Sequence, residues 1–295
     1  MAGDVLTAPT RSARSSGDLT FAVAFGGGGA RGLAHIHVIE VLDELGIRPV
    51  AIAGSSIGAI MGAGMAAGMA GRDIHGYARS VLGDRAALAS LMWRMRPTNL
   101  RQAFGGIRVS QFDIERILRS LLPKTIPDDF AGLQIPLQVT ATDFFGHSLV
   151  VTDEGDLFSA LAASAAIPAL FRPVRRDGRL LIDGGIYDPV PYDLLMDKAD
   201  IVIGIDVVGA PEGDDRMPNS IDLMFGASQL MMQSIIKNKL TRLRPAIFLR
   251  PPLSRFRVLD FLKIDAVLRE SEPIRDELKR EIDKAVETHV RTESQ

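Results

Sequence analysis

The 295-residue sequence contains no cysteine. This absence excludes structural disulfides, thiolate metal sites and a cysteine nucleophile. A catalytic nucleophile or base must therefore be a serine, a threonine, a carboxylate, a lysine or one of the five histidines. The chain also lacks an excess of positive charge, since its net charge is -2, and we expect no nucleic-acid partner.

The N-terminal segment lacks the apolar stretch of a secretory signal. Its Ser, Arg and Gly content predicts a flexible tail over residues 1–19, followed by one domain over residues 20–295 that no Pro- or Ser-rich linker interrupts. Hydrophobic residues make up 46% of the chain and charged residues 24%, which is typical of globular proteins. We expect a cytoplasmic protein, and peripheral contact with a membrane surface is left open.

The longest weakly polar stretch, AIAGSSIGAIMGAGMAAGMAG from residue 51, is dominated by Gly and Ala. This composition favours a buried strand and a small-residue helix over a membrane span. A first strand and helix precede it, because an apolar run over residues 21–25 leads into helical spacing that Gly46 ends. The alternation of strands and helices predicts an α/β fold with a mainly parallel central sheet sandwiched by helices.

Further elements follow downstream. The patterns predict an amphipathic helix that Pro123 ends, a hairpin of PLQVTATDF and HSLVVTD, and a helix in LFSALAASAAIP. They also predict a strand pair around FRPVRRDGRLLID, the strand IVIGIDVV, a helix over about 221–240, the strand AIFLR and one terminal helix over about 260–290.

The segment GSSIG, residues 54–58, fits the Gly-x-Ser-x-Gly pattern of a nucleophile elbow. The predicted strand before it and the helix after it are the context that this motif requires. Gly54 and Gly58 leave room for a sharp turn that projects the Ser56 hydroxyl, and the helix N-terminus favours negative charge nearby. Ser56 is therefore the candidate nucleophile. A serine that only caps the helix is the alternative.

A serine nucleophile needs a base, and two candidates follow from the residues. His147 in the hairpin is the best placed of the histidines, although none follows a strand in the position of a triad histidine. Asp183 ends an apolar run and precedes two glycines that keep the backbone open. A carboxylate can deprotonate Ser56 directly if burial raises its pKa. An Asx turn without a catalytic role is the alternative for Asp183.

Four consecutive glycines, residues 26–29, lie between the first strand and the first helix. Such a loop can hold an anion, which could be a phosphate or the oxyanion of a tetrahedral intermediate. GGGARG also fits the dinucleotide-binding pattern, but the next strand ends in serine where that site needs an acidic residue. A P-loop would need a Gly-Lys-Ser/Thr ending that is absent.

The segments GGGGARGLAH, GSSIG and DGG resemble, in this order, the three motifs of the bacterial patatin-like phospholipases. SAAIPALFRPV resembles the segment that precedes the family's Asp-Gly-Gly motif. The resemblance is dense from about Phe21 to Val207 and thins afterwards.

The resemblance implies a serine acyl hydrolase that cleaves lipid esters through a Ser-Asp dyad and needs neither a metal nor an organic cofactor. It implies that Ser56 is the nucleophile and that Asp183 is the base. Two other functions of the same fold are the alternatives to hydrolysis: an acyltransferase that uses the same dyad, and a catalytically idle protein that binds a lipid or an acyl chain. It also implies an oxyanion hole formed by Gly27, Gly28 and Gly29, and a bracing role for Arg31 in this loop. The other supporting residues of the three motifs are Gly32, Gly54, Gly58, Gly184 and Gly185.

Two positions depart from the family pattern. His37 stands where relatives usually have glycine, which we interpret as a packing variation, and Asp188 stands where asparagine is usual. Asp188 places a second carboxylate near Asp183, so that repulsion between like charges would raise one of the two pKa values. Two segments are candidates for contact with a lipid surface, SLMWRMRPTNL at residues 90–100 and the methionine-rich helix over 221–240, and core packing is the alternative for both.

Overall fold

The computed structural model describes residues 19–83, 112–212 and 217–293. The predicted tail over residues 1–19 lies outside these ranges except for its last residue. The segment SLMWRMRPTNL lies wholly outside them. The expectations for both segments therefore remain predictions.

One mixed sheet of eight strands runs through the described part of the chain. Its strands are β1 (Phe21–Phe25), β2 (Ala51–Ser55), β3 (Leu137–Asp143), β4 (Ser148–Thr152), β5 (Val174–Arg176), β6 (Arg179–Asp183), β7 (Ile201–Ile205) and β8 (Ile247–Leu249). Five strands are parallel, in the order β3-β2-β1-β7-β8. The other three, β4, β5 and β6, add antiparallel pairings at the β3 side.

The α-helices of the described ranges cover both faces of this sheet. They are α1 (His35–Glu44), α2 (Ile57–Ala66), α3 (Gly71–Leu82), α4 (Ile114–Leu121), α5 (Leu157–Ser164), α6 (Ser220–Arg242), α7 (Ile264–Ser271) and α8 (Ile274–Glu293). A 3-10 turn, Gly29–Ala34, leads into α1. The predicted α/β fold with helices on both faces is confirmed.

The two faces of the sheet carry different side chains because successive residues of a strand point to opposite sides. Val23 and Phe25 of β1 pack with Ile52 of β2 against the larger core, to which every described helix except α6 contributes. The other face presents alanines, among them Ala22 and Ala24, and these small side chains let residues 190–199 and α6 approach closely.

The apolar stretch from residue 51 forms β2 and the buried helix α2, as predicted. No helix in the described ranges is both long enough and apolar enough to cross a membrane. The single terminal helix predicted over 260–290 is wrong, because α7 ends at Ser271 and α8 begins at Ile274. Pro273 lies between them. A proline interrupts a helix because it has no backbone N–H to donate and because its ring clashes with the carbonyl group four residues earlier.

β3 brings the ends of two strands together. Thr140 pairs with Ser55 of β2 on one edge and with β4 on the other edge. The next residue, Ala141, pairs with β4 and with Asp183 of β6. Since β4 occupies one edge, β2 and β6 must share the opposite edge of β3. Their last residues, Ser55 and Asp183, therefore lie end to end, one position apart along β3.

Candidate active site

Ser56 lies in the tight connection between β2 and α2. Its backbone has a φ of 54° and a ψ of -125°, a conformation that costs of the order of 1–3 kcal/mol for a residue with a Cβ. The surrounding packing explains the flanking glycines: a Cβ at Gly58 would lie 2.1 Å from the carbonyl oxygen of Phe25, and one at Gly54 would lie 2.5 Å from the Cα of Ala59. The turn that the Gly-x-Ser-x-Gly motif predicts is present.

Asp183 is held against the Ser56 hydroxyl. The Oγ of Ser56 donates a hydrogen bond of 2.6 Å to Oδ2 of Asp183, and the N–H of Gly185 donates one of 2.8 Å to Oδ1. Thr142 of β3 donates its hydroxyl to the Asp183 carbonyl at 2.9 Å. Both carboxylate oxygens and the backbone of Asp183 are therefore fixed in orientation.

Burial raises the pKa of Asp183 to about 6, and the hydrogen bonds from Ser56 and Gly185 oppose this rise. The side chain is almost completely buried, as is that of Ser56. A carboxylate with a pKa near 6 is ionised at neutral pH and is a stronger base than an exposed aspartate. The pair thus has the geometry and the basicity that direct deprotonation of a serine requires.

The last residue of α5 and the segment that follows this helix support both members of this pair. The Ser56 N–H donates to Oγ of Ser164 at 2.8 Å, and the Asp183 N–H donates to the carbonyl of Ala166 at 3.1 Å. Ser164 is completely buried. Ser164 is the first residue of the segment SAAIPALFRPV, and the sequence pattern alone predicts no role for it. The sign that the sequence offers is a serine at the C-terminal end of a helix made mostly of small and apolar residues.

Replacing Ser164 by alanine is expected to lower kcat by roughly 10-fold, because the N–H of Ser56 loses its acceptor and the strained turn loses its support. Ester hydrolysis and thermal unfolding measure the effect on rate and stability. Ser159→Ala, five positions earlier in α5, is the matched control and should leave the rate unchanged. Equal rates for the two variants would exclude a positioning role for Ser164.

The glycine loop lies beside Ser56. Gly27 donates its N–H to the carbonyl of Pro189 at 2.9 Å, so this amide is already occupied. Within the described residues, no acceptor lies on the amides of Gly28 and Gly29. The predicted set of three oxyanion donors therefore narrows to Gly28 and Gly29. Gly27 contributes space, because a Cβ at this position would lie 3.3 Å from the Cβ of Ser56.

Arg31 joins the glycine loop to two later segments. Its Nε donates to the carbonyl of Val207 at 3.1 Å, and its guanidinium NH1 donates to that of Phe256 at 2.7 Å. Desolvation lowers the pKa of this buried side chain to about 10, so it stays charged at neutral pH. These bonds fit the bracing role that the family resemblance implies. The neighbouring Gly32 is required by close packing, since a Cβ there would lie 2.3 Å from the Ile57 side chain.

The histidines take other positions. His147, the alternative base, lies in the exposed turn after β3, and the described contacts include no bond between it and Ser56. His35 bonds to the Gly26 carbonyl at 2.8 Å, and desolvation lowers its pKa to about 4. His37 bonds to the Leu268 carbonyl at 2.9 Å, in agreement with a packing role. In the described ranges, no three His, Asp or Glu side chains are grouped as metal ligands.

A largely apolar cavity of about 110 Å³ opens over Ser56. Its walls come from the glycine loop, from Asp183 and the residues after it, from the segment after α5 and from one face of α6. The apolar side chains that line it are Ile167, Pro168, Ile186, Val208, Met224, Phe225, Met232 and Val258.

Asp188 is paired with Lys239 of α6. The ammonium lies 2.7 Å and 2.8 Å from the two carboxylate oxygens of Asp188, donates to the Val190 carbonyl at 3.0 Å and also pairs with Asp193. Burial raises the pKa of Asp188, and Lys239 opposes the rise. Burial raises the pKa of Asp183, and burial together with Asp193 raises the pKa of Asp188, so repulsion between Asp183 and Asp188 causes neither rise. The cation that faces the Asp188 carboxylate is Lys239, which lies 51 positions later in the chain and which no sequence pattern connects to Asp188.

Removing Lys239 alone is expected to lower the free energy of unfolding by about 3 kcal/mol, because Lys239→Met leaves Asp188 buried without its cation. The double variant Asp188→Asn/Lys239→Met should recover most of this loss. Denaturant unfolding at neutral pH measures both effects, and Lys237→Met, which changes an exposed lysine of the same helix, is the control. A double variant less stable than the single one would contradict the role assigned to this pair.

The chain is similar in sequence to several known proteins. The sequence profile described as patatin-like phospholipase matches residues 23–196. An uncharacterized NTE family protein of Mycobacterium tuberculosis is 37% identical over 204 residues, which are 69% of this chain and 53% of that protein. Lysophospholipase NTE1 of Meyerozyma guilliermondii is 25% identical over an alignment of 295 residues, with 91% of this chain and 20% of that protein covered.

The chain thus spans about half, or less, of the length of these curated relatives. Among solved structures, the complex of full-length SpcU with full-length ExoU of Pseudomonas aeruginosa contains a chain that is 17% identical, with a TM-score of 0.46. The match covers 90% of this chain and 52% of that chain.

Proposed function

This chain belongs to the patatin-like phospholipase family, and we propose that it is a serine acyl hydrolase that cleaves carboxylic esters of phospholipids or lysophospholipids through Ser56 and Asp183. The observation that carries the proposal is the 2.6 Å hydrogen bond between Ser56 and the buried Asp183. The cavity above them has an apolar wall for an acyl chain, and it includes the amides of Gly28 and Gly29, which bond to no acceptor in the described part of the chain.

The reaction follows from these groups. Asp183 accepts the Ser56 proton while Oγ attacks the ester carbonyl, and the negative charge on the carbonyl oxygen is stabilised by the amides of Gly28 and Gly29. As the ester C–O bond breaks, Asp183 gives its proton to the leaving alcohol, and an acyl-enzyme remains. Asp183 then takes a proton from water, and the resulting nucleophile attacks the acyl carbonyl. As the bond between Oγ and the acyl carbon breaks, Asp183 returns this proton to Oγ, so that the fatty acid is released and the Ser56 hydroxyl is restored.

The relatives' names support a lysophospholipid as one substrate, since two of them are called lysophospholipases. The cavity supports a lipid ester in general, because the methionine side chains of α6 can adapt to an alkyl chain. An acyltransferase would use the same acyl-enzyme with an alcohol in place of water, so the products distinguish the two activities.

Mass spectrometry of the products formed from a mixture of phospholipids, lysophospholipids and neutral glycerides tests the proposal, with Ser56→Ala as the control. We expect free fatty acid from at least one lipid class and none above background from the variant. A fluorophosphonate probe should label Ser56 in the folded protein. Absence of both products and labelling would favour an idle lipid binder, and acylated acceptors in place of fatty acid would identify a transferase.

A further inference from the structure

Helix α6 is apolar on two opposite faces. One face lines the cavity with Phe225 and Met232, which are seven residues apart and thus lie on the same side of the helix. The solvent side carries Leu223, Leu230 and Met231, which are 52%, 59% and 61% exposed. A surface helix normally has polar residues on its outer face, so these side chains are not explained by packing in the core. Core packing accounts only for the inward face, where Ile236 is buried.

The solvent face of α6 continues into a basic groove of about 580 Å³. Among the described residues, three cationic side chains line it, Lys237, Arg244 and Arg250, and no acidic side chain does. Arg250 bonds to the buried Asp206 at 2.6 Å. Lys237 and Arg244 have no ion pair with any described residue. Leu230 lines the groove as well, so the basic groove and the apolar face meet.

We propose that this surface, composed of the apolar solvent face of α6 and the basic groove, docks onto an anionic phospholipid bilayer. Lysine and arginine bind the phosphates of anionic headgroups, and the adjacent leucine and methionine side chains can insert at the boundary between headgroups and acyl chains. The charge favours this occupant over a second copy of the chain, because a symmetric contact through the same face would bring cations toward cations.

When the apolar solvent face of α6 lies on a bilayer, the cavity over Ser56 lies next to the lipid. Met224 joins the two surfaces, because it is 43% exposed on the outer side of α6 and also lines the cavity. The helix that contacts the bilayer is thus a wall of the acyl site. The biological meaning of the surface rests on the proposed lipid hydrolase, but its binding to a bilayer does not require catalysis.

Flotation of the Ser56→Ala protein with vesicles tests the proposal. We expect it to bind vesicles of phosphatidylcholine mixed with phosphatidylglycerol, to bind pure phosphatidylcholine much more weakly, and to be released by high salt. The variant Lys237→Gln/Arg244→Gln, made in the same background, should lower the partition coefficient by roughly 30-fold. Leu230→Ser/Met231→Ser should also weaken binding and leave the salt dependence in place.

Arg72→Gln/Lys124→Gln is the matched control. It removes two exposed cations, one from α3 and one from the turn after α4, and the buried neighbours of both residues pack on the opposite side of the sheet from α6. Binding by this variant should be unchanged. No binding to anionic vesicles, or equal losses in all variants, would overturn the proposal. Release by millimolar phosphate at constant ionic strength would identify a free anion as the occupant, and a monomer–dimer equilibrium that the α6 variants shift would identify a second copy.

The parent protein's activity on a soluble short-chain ester separates this proposal from the proposed function. Vesicle binding without ester hydrolysis would reject the hydrolase and keep the docking surface. Ester hydrolysis without vesicle binding would do the reverse.

Discussion

Ser56→Ala is expected to lower kcat for ester hydrolysis by roughly 10⁴-fold or more, because Ser56 is the described cavity serine whose hydroxyl bonds to a carboxylate base. The hydroxyl of Ser228, which also lines the cavity, bonds to the Met224 carbonyl instead. Initial rates on a soluble short-chain ester measure the loss without the complication of a lipid surface. Thermal unfolding of the variant should stay close to that of the parent, since alanine retains the Cβ and the backbone bond to Ser164.

Ser55→Ala is the matched control for this substitution. Ser55 is the adjacent residue, is completely buried, and its hydroxyl has no hydrogen-bond partner among the described residues. We expect this variant to keep a rate within a few fold of the parent. If Ser56→Ala retained a comparable rate, the nucleophile would have to be another residue, and the proposed mechanism would be wrong.

The sequence predicts the strands, the helices and the position of the elbow well because these depend on local patterns. Hydrophobic periodicity places β1, β2 and α2, and the glycines around Ser56 follow from a turn that leaves no room for a Cβ. Asp183 is different, since it lies 127 positions from Ser56 along the chain. The residues alone left His147 as an alternative, and only the family resemblance selected Asp183.

What brings Ser56 and Asp183 together is the register of β3. The strand pairs with β2 and then with β6 along one edge, and a pattern of apolar residues does not specify such pairing. Ser164 and Lys239 could not be assigned for the same reason, because each acts on a residue that is remote in sequence. The break at Pro273 is different, because a proline inside a helical pattern is a local signal that predicts the end of a helix.

Substitutions in the glycine loop cannot test the oxyanion role of its amides. A valine at Gly28 would disturb the loop itself, because a Cβ at that position would lie 2.1 Å from the carbonyl oxygen of Val207. At Gly29 the φ of +61° and the carbonyl of Val258 exclude a side chain as well. Loss of activity in either variant would therefore not separate a missing amide from a displaced loop, and the dyad offers the sharper tests.

Asp183→Asn is expected to lower kcat by about 10³-fold and, at neutral pH, to make the protein more stable. Burial raises the pKa of Asp183 from 3.8 to about 6, so the folded protein binds this proton more tightly than the unfolded chain does. Stability is therefore lost as the pH rises from about 4 to above 6, by an amount of about 3 kcal/mol. Asparagine has no charge to bury and avoids that loss.

Two pH series check this prediction. The kcat/KM of the parent should increase with pH through the pKa of about 6 and then stay constant, because the base must be ionised in the free enzyme. The Tm of Asp183→Asn should exceed that of the parent at pH 8, and the difference should vanish at about pH 3, below the unfolded-state pKa of 3.8, where the parent carboxyl is protonated in both the folded and the unfolded state. Asp143→Asn, at the end of the adjacent strand, is the control and should leave the midpoint of the rate profile in place. A variant less stable than the parent at pH 8 would mean that the ionised carboxylate stabilises the fold, and Asp183 would then lose the raised pKa on which its role as base depends.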